Sequence, residues 1–291
     1  MLNIKPVERV VSQHFSRAAQ TYDSAAQLQK AVIAKASEPL IVKLDQDYAP
    51  SPFKILDVGC GTSNLLNCLI KSLPTSLLSK MDYTGVDIAS GMLEYSQQKF
   101  ASVSHGLNAN WQMANAENLP FSDGQYDCVF SSLAWQWCDL DKVLTQAYRV
   151  LKPGGHLIFT TLLDGTLTEL NAAYQKLDDN PHTNQFIHPD IFARQLKQIN
   201  WQTIDYELKL EKTDYQSVYQ LLKELKSIGA NTVTRDNQLR VKKRLTRQRL
   251  AALEAVYPKK TLPKSNQTEN DNTASVEASW QVAYCQLKKP Y

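Results

Sequence analysis

Residues 54–62, KILDVGCGT, restrict the possible fold more than any other stretch. A short apolar run from Lys54 to Val58, with Asp57 near its end, passes directly into Gly59, Cys60 and Gly61. A strand that enters Asp-x-Gly-x-Gly and then a helix brings backbone close to a small ligand in an α/β domain. Glycine suits that turn because a Cβ would block the approach and because the turn often needs a positive φ. The glycine pair alone also suits an ordinary tight strand–helix connection, so the downstream sequence decides.

Downstream, residues 83–93 form a second apolar run with Asp87 closing its strand, and an acid there can accept hydrogen bonds from both hydroxyls of a ribose. WQMANAENLPF (111–121) places Asn115, Ala116 and Glu117 at the end of a third strand. YDCVFSS (126–132) and HLIFTTL (156–162) read as a fourth and a fifth strand. The helix between them, AYRVLKPGG, is stopped by Pro153 and the Gly154–Gly155 pair. A dinucleotide-binding fingerprint fits less well: its third glycine would stand where Asn64 is, and Asp87 lies farther from the glycines than that pattern prefers.

The chain has 291 residues, 43% hydrophobic and 21% charged, enough for one substantial core and a smaller cap. No apolar run is long enough to cross a membrane, and MLNIKPVERV lacks a signal-peptide core. The five cysteines are scattered, without a Cys-x-x-Cys or Cys/His cluster, which predicts reduced thiols, no metal and a cytoplasmic location. Charge is uneven: residues 235–260 carry nine Lys/Arg against Asp236 and Glu254, a net +7 in a chain whose total is +3. Arg240, Lys243, Arg244 and Arg247 fall at helical spacing, which reads either as a solvated helix face or as a landing site for an acidic macromolecule. No nucleic-acid motif accompanies them, so nucleic acid is not an expected partner.

The first 50 residues predict two helices. In the first, Val7, Val10, Val11, His14, Phe15, Ala18, Ala19 and Tyr22 recur on one inward face. His14 reads as a hydrogen-bonded core histidine, and Tyr22 ends that face where a polar handle can reach a ligand on the first strand. Past residue 162, WQTIDYELKLEKT (201–213) alternates like a strand, and ASWQVAYCQLK reads as a last strand that pairs with it. Helices within 214–257 then form an insertion over the ligand end of the sheet, and 263–277 is a polar loop.

Together the ordered motifs from residue 54 to about 162 resemble class I S-adenosylmethionine-dependent methyltransferases. A narrower resemblance rests on FSRAAQTYDSAAQLQ, ANAENLPF, LAWQWCDL, the run from AYRVLKPGG to LTEL, and LKSIGANTV, in that order. This set is similar to the malonyl-acyl-carrier-protein O-methyltransferases of biotin synthesis. The resemblance implies an α/β, Rossmann-like sheet with helices on both faces, N-terminal helices (1–50), a core (51–213), a helical cap (214–260) between the last two strands, and a loop with a final core strand (261–291). It implies methyl transfer from S-adenosylmethionine to the free carboxylate of a malonyl thioester on acyl carrier protein, leaving S-adenosylhomocysteine and needing no metal. Other readings are a different small-molecule methyltransferase of this fold, or a non-catalytic S-adenosylmethionine- or RNA-binding module.

The resemblance also implies roles. Asp57, Gly59, Cys60 and Gly61 shape the cofactor turn, Asp87 takes the ribose and Ile88 packs on adenine. Asn115, where the family commonly has Asp, faces the adenine edge with Ala116, and Ser131 and Leu133 border the transfer site. Tyr22 and Arg17 reach a carboxylate of the methionyl part or the substrate, while Trp135, Gln136 and Trp137 line the entrance or simply pack. A carboxylate is already ionised at neutral pH, so no general base is expected, and Tyr22 and Trp135 are the candidates for positioning. Arg149 is expected to pack its helix, Lys226 and Asn231 to sit at the pocket mouth, and the Arg240–Arg247 stripe to meet the acidic carrier protein.

Overall fold

The computed structural model describes residues 5–46, 52–102, 106–230, 234–235, 238–239, 245–260 and 275–291. Five parallel strands make the body of the sheet: β1 (Phe53–Val58), β2 (Met81–Asp87), β3 (Asn108–Met113), β4 (Tyr126–Ser132) and β5 (Leu151–Leu162). The long β6 (Thr203–Tyr215) and β10 (Ser275–Lys288) complete it, in the order β3-β2-β1-β4-β5-β10-β6. β10 runs antiparallel to both neighbours, so the last strand of the chain slots between β5 and β6. Its pairing with β6 follows the sequence expectation; its second partner, β5, was not visible in the pattern.

Residues alternate between the two faces along each strand, and the core divides accordingly. Leu56, Val129, Leu157 and Phe159 pack with α6 (Leu140–Val150) and α8 (Pro189–Leu196). Their neighbours Ile55, Phe130 and Ile158 face the other way, toward α2 (Gln27–Gln46) and α3 (Asn64–Ser72). The short α4 (Thr75–Leu78) leads into β2, and α5 (Ser90–Phe100) follows it. Central β1 and β4 are almost wholly buried, which is why they read as continuous apolar runs.

α1 (Pro6–Ala25) crosses the ligand end of the sheet. Ser12 donates a hydrogen bond to Ile88 O (2.9 Å), and Thr21 donates to Ser227 O (2.9 Å) in α9 (Val218–Ser227), so one helix ties the sheet edge to the cap. Val11, Ala18 and Ala19 on its predicted inner face are buried; His14, Phe15 and Tyr22 are half-buried. The cap's apolar cluster draws Leu170 from α7 (Thr168–Gln175), Val218 and Leu221 from α9, Leu253 from α10 (Arg247–Val256), and Trp280 from β10.

Three boundaries differ from expectation. β5 starts at Leu151, directly after α6, so Pro153 and the glycine pair lie in the strand; a register irregularity opposite Tyr126 and Cys128 accommodates them. β10 starts at Ser275 rather than at 278, because Val276 is buried and pairs with Tyr215 and with Lys259 of β9 (Lys259–Lys260). The basic segment includes a small hairpin, β7 (Thr234–Arg235) with β8 (Gln238–Leu239), before α10 begins. Arg240, Lys243 and Arg244 lie outside the described residues, as does Asn231; Arg247 opens α10 and is exposed.

Candidate functional site

The glycine turn is built on backbone contacts to β2. The amides of Gly59 and Cys60 donate to Val86 O at 2.8 and 3.0 Å. Gly59 and Gly61 both have positive φ, +72° and +52°. A Cβ on Gly59 would stand 2.4 Å from the Ala134 Cβ, so glycine is what lets the turn meet the segment after β4.

Asp87, at the end of β2, accepts from Gly61 N (2.9 Å) and Ala89 N (2.8 Å), one bond to each carboxylate oxygen. Burial pushes its carboxyl up, and the amides of Ala89, Gly61 and Ile88 pull it back toward the ionised form. A carboxylate has about four lone-pair sites, so both oxygens keep capacity for a ligand's hydroxyls. Asp57 lies deeper: it is 2% exposed and accepts from the Tyr83 hydroxyl at 2.7 Å. Burial raises it to about 7, against the Tyr83 hydrogen bond and with the Asp87 charge adding to the rise.

A cavity opens above this edge. Gly59, Gly61, Asp87, Ile88, Asn115, Ala116, Tyr22, Leu133 and Trp135 line it. Asp57 and Cys60 border instead a small adjoining recess, with Thr62 and Asn64. Two expected residues are not in either lining. The Ser131 side chain is fully buried and donates to Val58 O at 2.7 Å; Ser132, one residue on and pointing to the opposite face, borders the cavity. Arg17 is exposed, because it is a helical step away from the inward stripe of α1.

Trp135 is 2% exposed, packs on Phe159 at 4.7 Å between ring centroids, and its indole N–H has no hydrogen-bond partner among the described residues. Trp137 meets Phe15 edge-on at 5.8 Å, and Gln136 donates to Leu133 O at 2.6 Å. Arg149 holds the loop before β4, donating to the carbonyls of Leu119 and Phe121, which matches its expected packing role.

Two further residues, Glu8 in the lining and Asp23 behind it, carry no local signal of these contacts in the sequence. Glu8, in the first turn of α1, borders the cavity beside Asn115, whose amide donates to it at 3.3 Å. The Glu8 Oε1 is buried without a hydrogen-bond partner among the described residues, although the Lys5 ammonium lies 3.3 Å away. Asp23 accepts from Thr62 (2.6 Å) and Lys99 (2.8 Å), clasping the end of α1 to the glycine turn. Burial works to raise the Asp23 carboxyl, but Lys99 and Thr62 outweigh it and hold the group below its ordinary range.

Leu133 sits at φ +49°, rare for a branched side chain, with its amide bonded to Thr160 O (3.0 Å) and Thr160 Oγ1 (3.1 Å). This conformation holds Leu133 between the first cavity and a second one under the cap. Phe15, Tyr22, Leu133 and Trp137 border both. The lining of the second cavity also draws on α7, α9, α10 and the 182–186 segment, and it includes Lys226. Tyr22 also borders the small recess. Burial, with Asp87 and Asp23 nearby, pushes its phenol well up, so it remains neutral.

Comparison with known proteins agrees with this arrangement. Residues 56–159 match the family model described as a methyltransferase domain. Among solved structures, a putative methyltransferase from Bacillus halodurans aligns with a TM-score of 0.55 at 16% identity, covering 86% of this chain and 99% of that one. The phosphoethanolamine N-methyltransferase 2 of Haemonchus contortus, solved in complex with S-adenosyl-L-methionine, also aligns at 0.55 and 16% identity, covering 99% of this chain and 61% of that one. Both likenesses show the fold.

Among curated sequences, the bifunctional biotin biosynthesis protein BioHC of Teredinibacter turnerae is 33% identical over 285 residues, 97% of this chain and 47% of that protein. The chain therefore spans about half the length of such bifunctional relatives. The malonyl-[acyl-carrier protein] O-methyltransferase of Methylococcus capsulatus is 33% identical over 250 residues, 84% of this chain and 85% of the relative. That of Yersinia pestis is 34% identical over 255 residues, covering 86% and 84%. With about a third of residues identical over more than four-fifths of such proteins, the chain belongs to the malonyl-[acyl-carrier protein] O-methyltransferase family.

Proposed function

We propose that the protein transfers a methyl group from S-adenosylmethionine to the free carboxylate of a malonyl thioester carried on acyl carrier protein. The observation that carries this reading is the meeting of two cavities at Tyr22, Leu133, Phe15 and Trp137, one beside the glycine turn and the other under the cap. S-adenosylmethionine supplies a methyl on a positively charged sulfur. The first cavity fits it: Asp87 offers acceptors for the ribose, and the backbone of Gly59 and Gly61 lines the cavity without side chains. Glu8, whose Oε1 among the described residues meets only the Lys5 ammonium at 3.3 Å, brings a carboxylate next to Asn115, where an adenine amino group needs an acceptor. The Asn115 amide oxygen already accepts from Glu117 N at 2.9 Å, so Glu8 supplements the residue where the family commonly has Asp.

The acceptor needs no general base, since a malonyl carboxylate is ionised at neutral pH. What the protein does is hold the acceptor oxygen in line and exclude water with Phe15, Leu133 and Trp137. The basic stretch 235–260, of which Arg247 and Lys259 are exposed, supports an acidic carrier as the partner.

Two experiments test the reading. Mass spectrometry of malonyl-acyl carrier protein after incubation with S-adenosylmethionine should show a gain of one methyl on the acyl group; an unmodified acyl group refutes the assignment. Asp87→Ala should weaken S-adenosylhomocysteine binding roughly 10- to 100-fold by calorimetry, the size expected for loss of charge-assisted hydrogen bonds. Unchanged affinity would remove Asp87 from the binding set.

A further inference from the structure

The second cavity carries a distinctive electrostatic signature. Its walls are largely apolar, with Leu162, Leu167, Leu170, Phe186 and Trp280 among them, and no Asp or Glu side chain lines it among the described residues. The groups on its wall that bear or can take a positive charge are Arg249, His182 and Lys226. Lys226 is exposed at the rim, whereas Arg249 is held from behind. Its Nη2 donates to Asp178, and the same nitrogen lies 3.2 Å from His182 Nε2. His182 meets the other Asp178 oxygen at 2.9 Å and stacks on Tyr174 with ring centroids 3.8 Å apart. The side chains of Asp178, His182 and Arg249 are 16%, 8% and 21% exposed, so the cluster is a built feature of the wall.

Local structure fixes the direction. Thr246 caps α10 by accepting from the Arg249 amide at 3.2 Å, which anchors the first turn where Arg249 stands. Asp178 spends both oxygens on the cluster, and the His182 hydrogen bond is the main cause that holds its carboxyl well below the usual range. Among the described residues, Nε and Nη1 of Arg249 make no hydrogen bond. A guanidinium with N–H groups unspent on Nε and Nη1, on a cavity wall that no carboxylate lines among the described residues, can donate a charge-assisted hydrogen bond to a carboxylate ligand while Asp178 holds Nη2 from behind.

We propose that Arg249, held by Asp178 and His182, is the residue that binds the acceptor's free carboxylate and selects malonyl over uncharged acyl groups. This rests on the methyl-transfer reading above and names its substrate contact. In the step, an oxygen–carbon bond forms, the methyl carbon–sulfur bond breaks with its electron pair going to sulfur, and no proton moves. The acceptor changes from a carboxylate into a neutral ester. Arg249 therefore grips the substrate carboxylate but keeps only Asp178 as a charge partner once the ester has formed, which favours release of the ester.

The test uses the full chain, with malonyl-acyl carrier protein as acceptor and its methyl ester as inhibitor. Arg249→Gln should raise KM for the malonyl substrate roughly 100-fold while changing the ester's inhibition constant less than threefold. Arg249→Lys, which keeps the charge without the planar guanidinium that Asp178 holds, should recover part of the loss. S-adenosylhomocysteine affinity should stay within threefold of wild type in both, since Arg249 does not line the first cavity, and this also reports an intact fold. A KM for Arg249→Gln within threefold of wild type overturns the proposal, as does equal weakening of substrate and ester. Wild type that methylates no malonyl thioester would overturn the underlying reading as well, an outcome distinct from an active wild type with an indifferent Arg249.

Discussion

Gly59→Ala should destabilise the protein by roughly 3 kcal/mol and abolish measurable binding of S-adenosylhomocysteine at micromolar concentrations. Two costs combine. A left-handed backbone costs a residue with a Cβ about 1–2 kcal/mol, and a methyl group forced against a packed wall adds about 1–3 kcal/mol. Both apply at Gly59, where φ is +72° and the new carbon would stand 2.4 Å from the Ala134 Cβ. Relief requires either β1 to retreat from β4 or the 133–135 segment to move, and that segment lines the first cavity. Gly61→Ala is the control. Its φ is +52°, but no atom lies within 4 Å of the new carbon, so only the backbone cost of about 1–2 kcal/mol applies. Urea denaturation of the two variants separates the contributions. Equal destabilisation would mean that the approach to Ala134 is not what requires glycine at 59.

The same turn shows what the sequence could reveal. β1 and β4 are largely buried on both faces, so they appear as mainly apolar runs, and the acid at the end of β2 marks the rim. Tyr22 could be placed because helical periodicity predicts a shared face without knowledge of the partner. Ser131 was misplaced because the end of a strand is legible but the parity of its last residues is not; one step of the pleat sends Ser131 to Val58 and Ser132 to the cavity. Glu8, Asp23 and Arg249 escaped for a different reason. Each acts through partners remote in the chain: Asn115 for Glu8, Thr62 and Lys99 for Asp23, and Asp178 and His182 for Arg249. No local pattern encodes such pairs. The left-handed Leu133 is equally silent, since its conformation is imposed by the Thr160 contacts and not by its own preference.

Asp57 should make the protein less stable as pH rises, the reverse of the usual behaviour of a paired carboxylate. Its folded-state pKa is raised to about 7 from an ordinary value of 3.8, chiefly by burial, with the Asp87 charge adding and the Tyr83 hydrogen bond opposing. Between those values the native state holds a proton that the unfolded chain has released, so unfolding becomes easier with rising pH. The stabilising contribution is complete below pH 3.8 and is lost as the pH passes through 7. By linkage the loss amounts to roughly 4 kcal/mol for a group this deeply buried. Asp57→Asn keeps an acceptor for the Tyr83 hydroxyl but cannot ionise. The stability difference, variant minus wild type, should be near zero toward pH 4, grow through neutrality, and level off near that figure above pH 8. The difference is the quantity to measure, because other groups titrate in the same range. His156, kept neutral by burial down to about 4 with Lys43 and Lys288 adding to the effect, makes wild type and variant alike more stable as pH rises from there to 6.5. Denaturant midpoints at pH 5, 6.5 and 8.5 suffice. A difference that stays constant across the series would show that Asp57 is ionised throughout, and that the Tyr83 bond outweighs its burial.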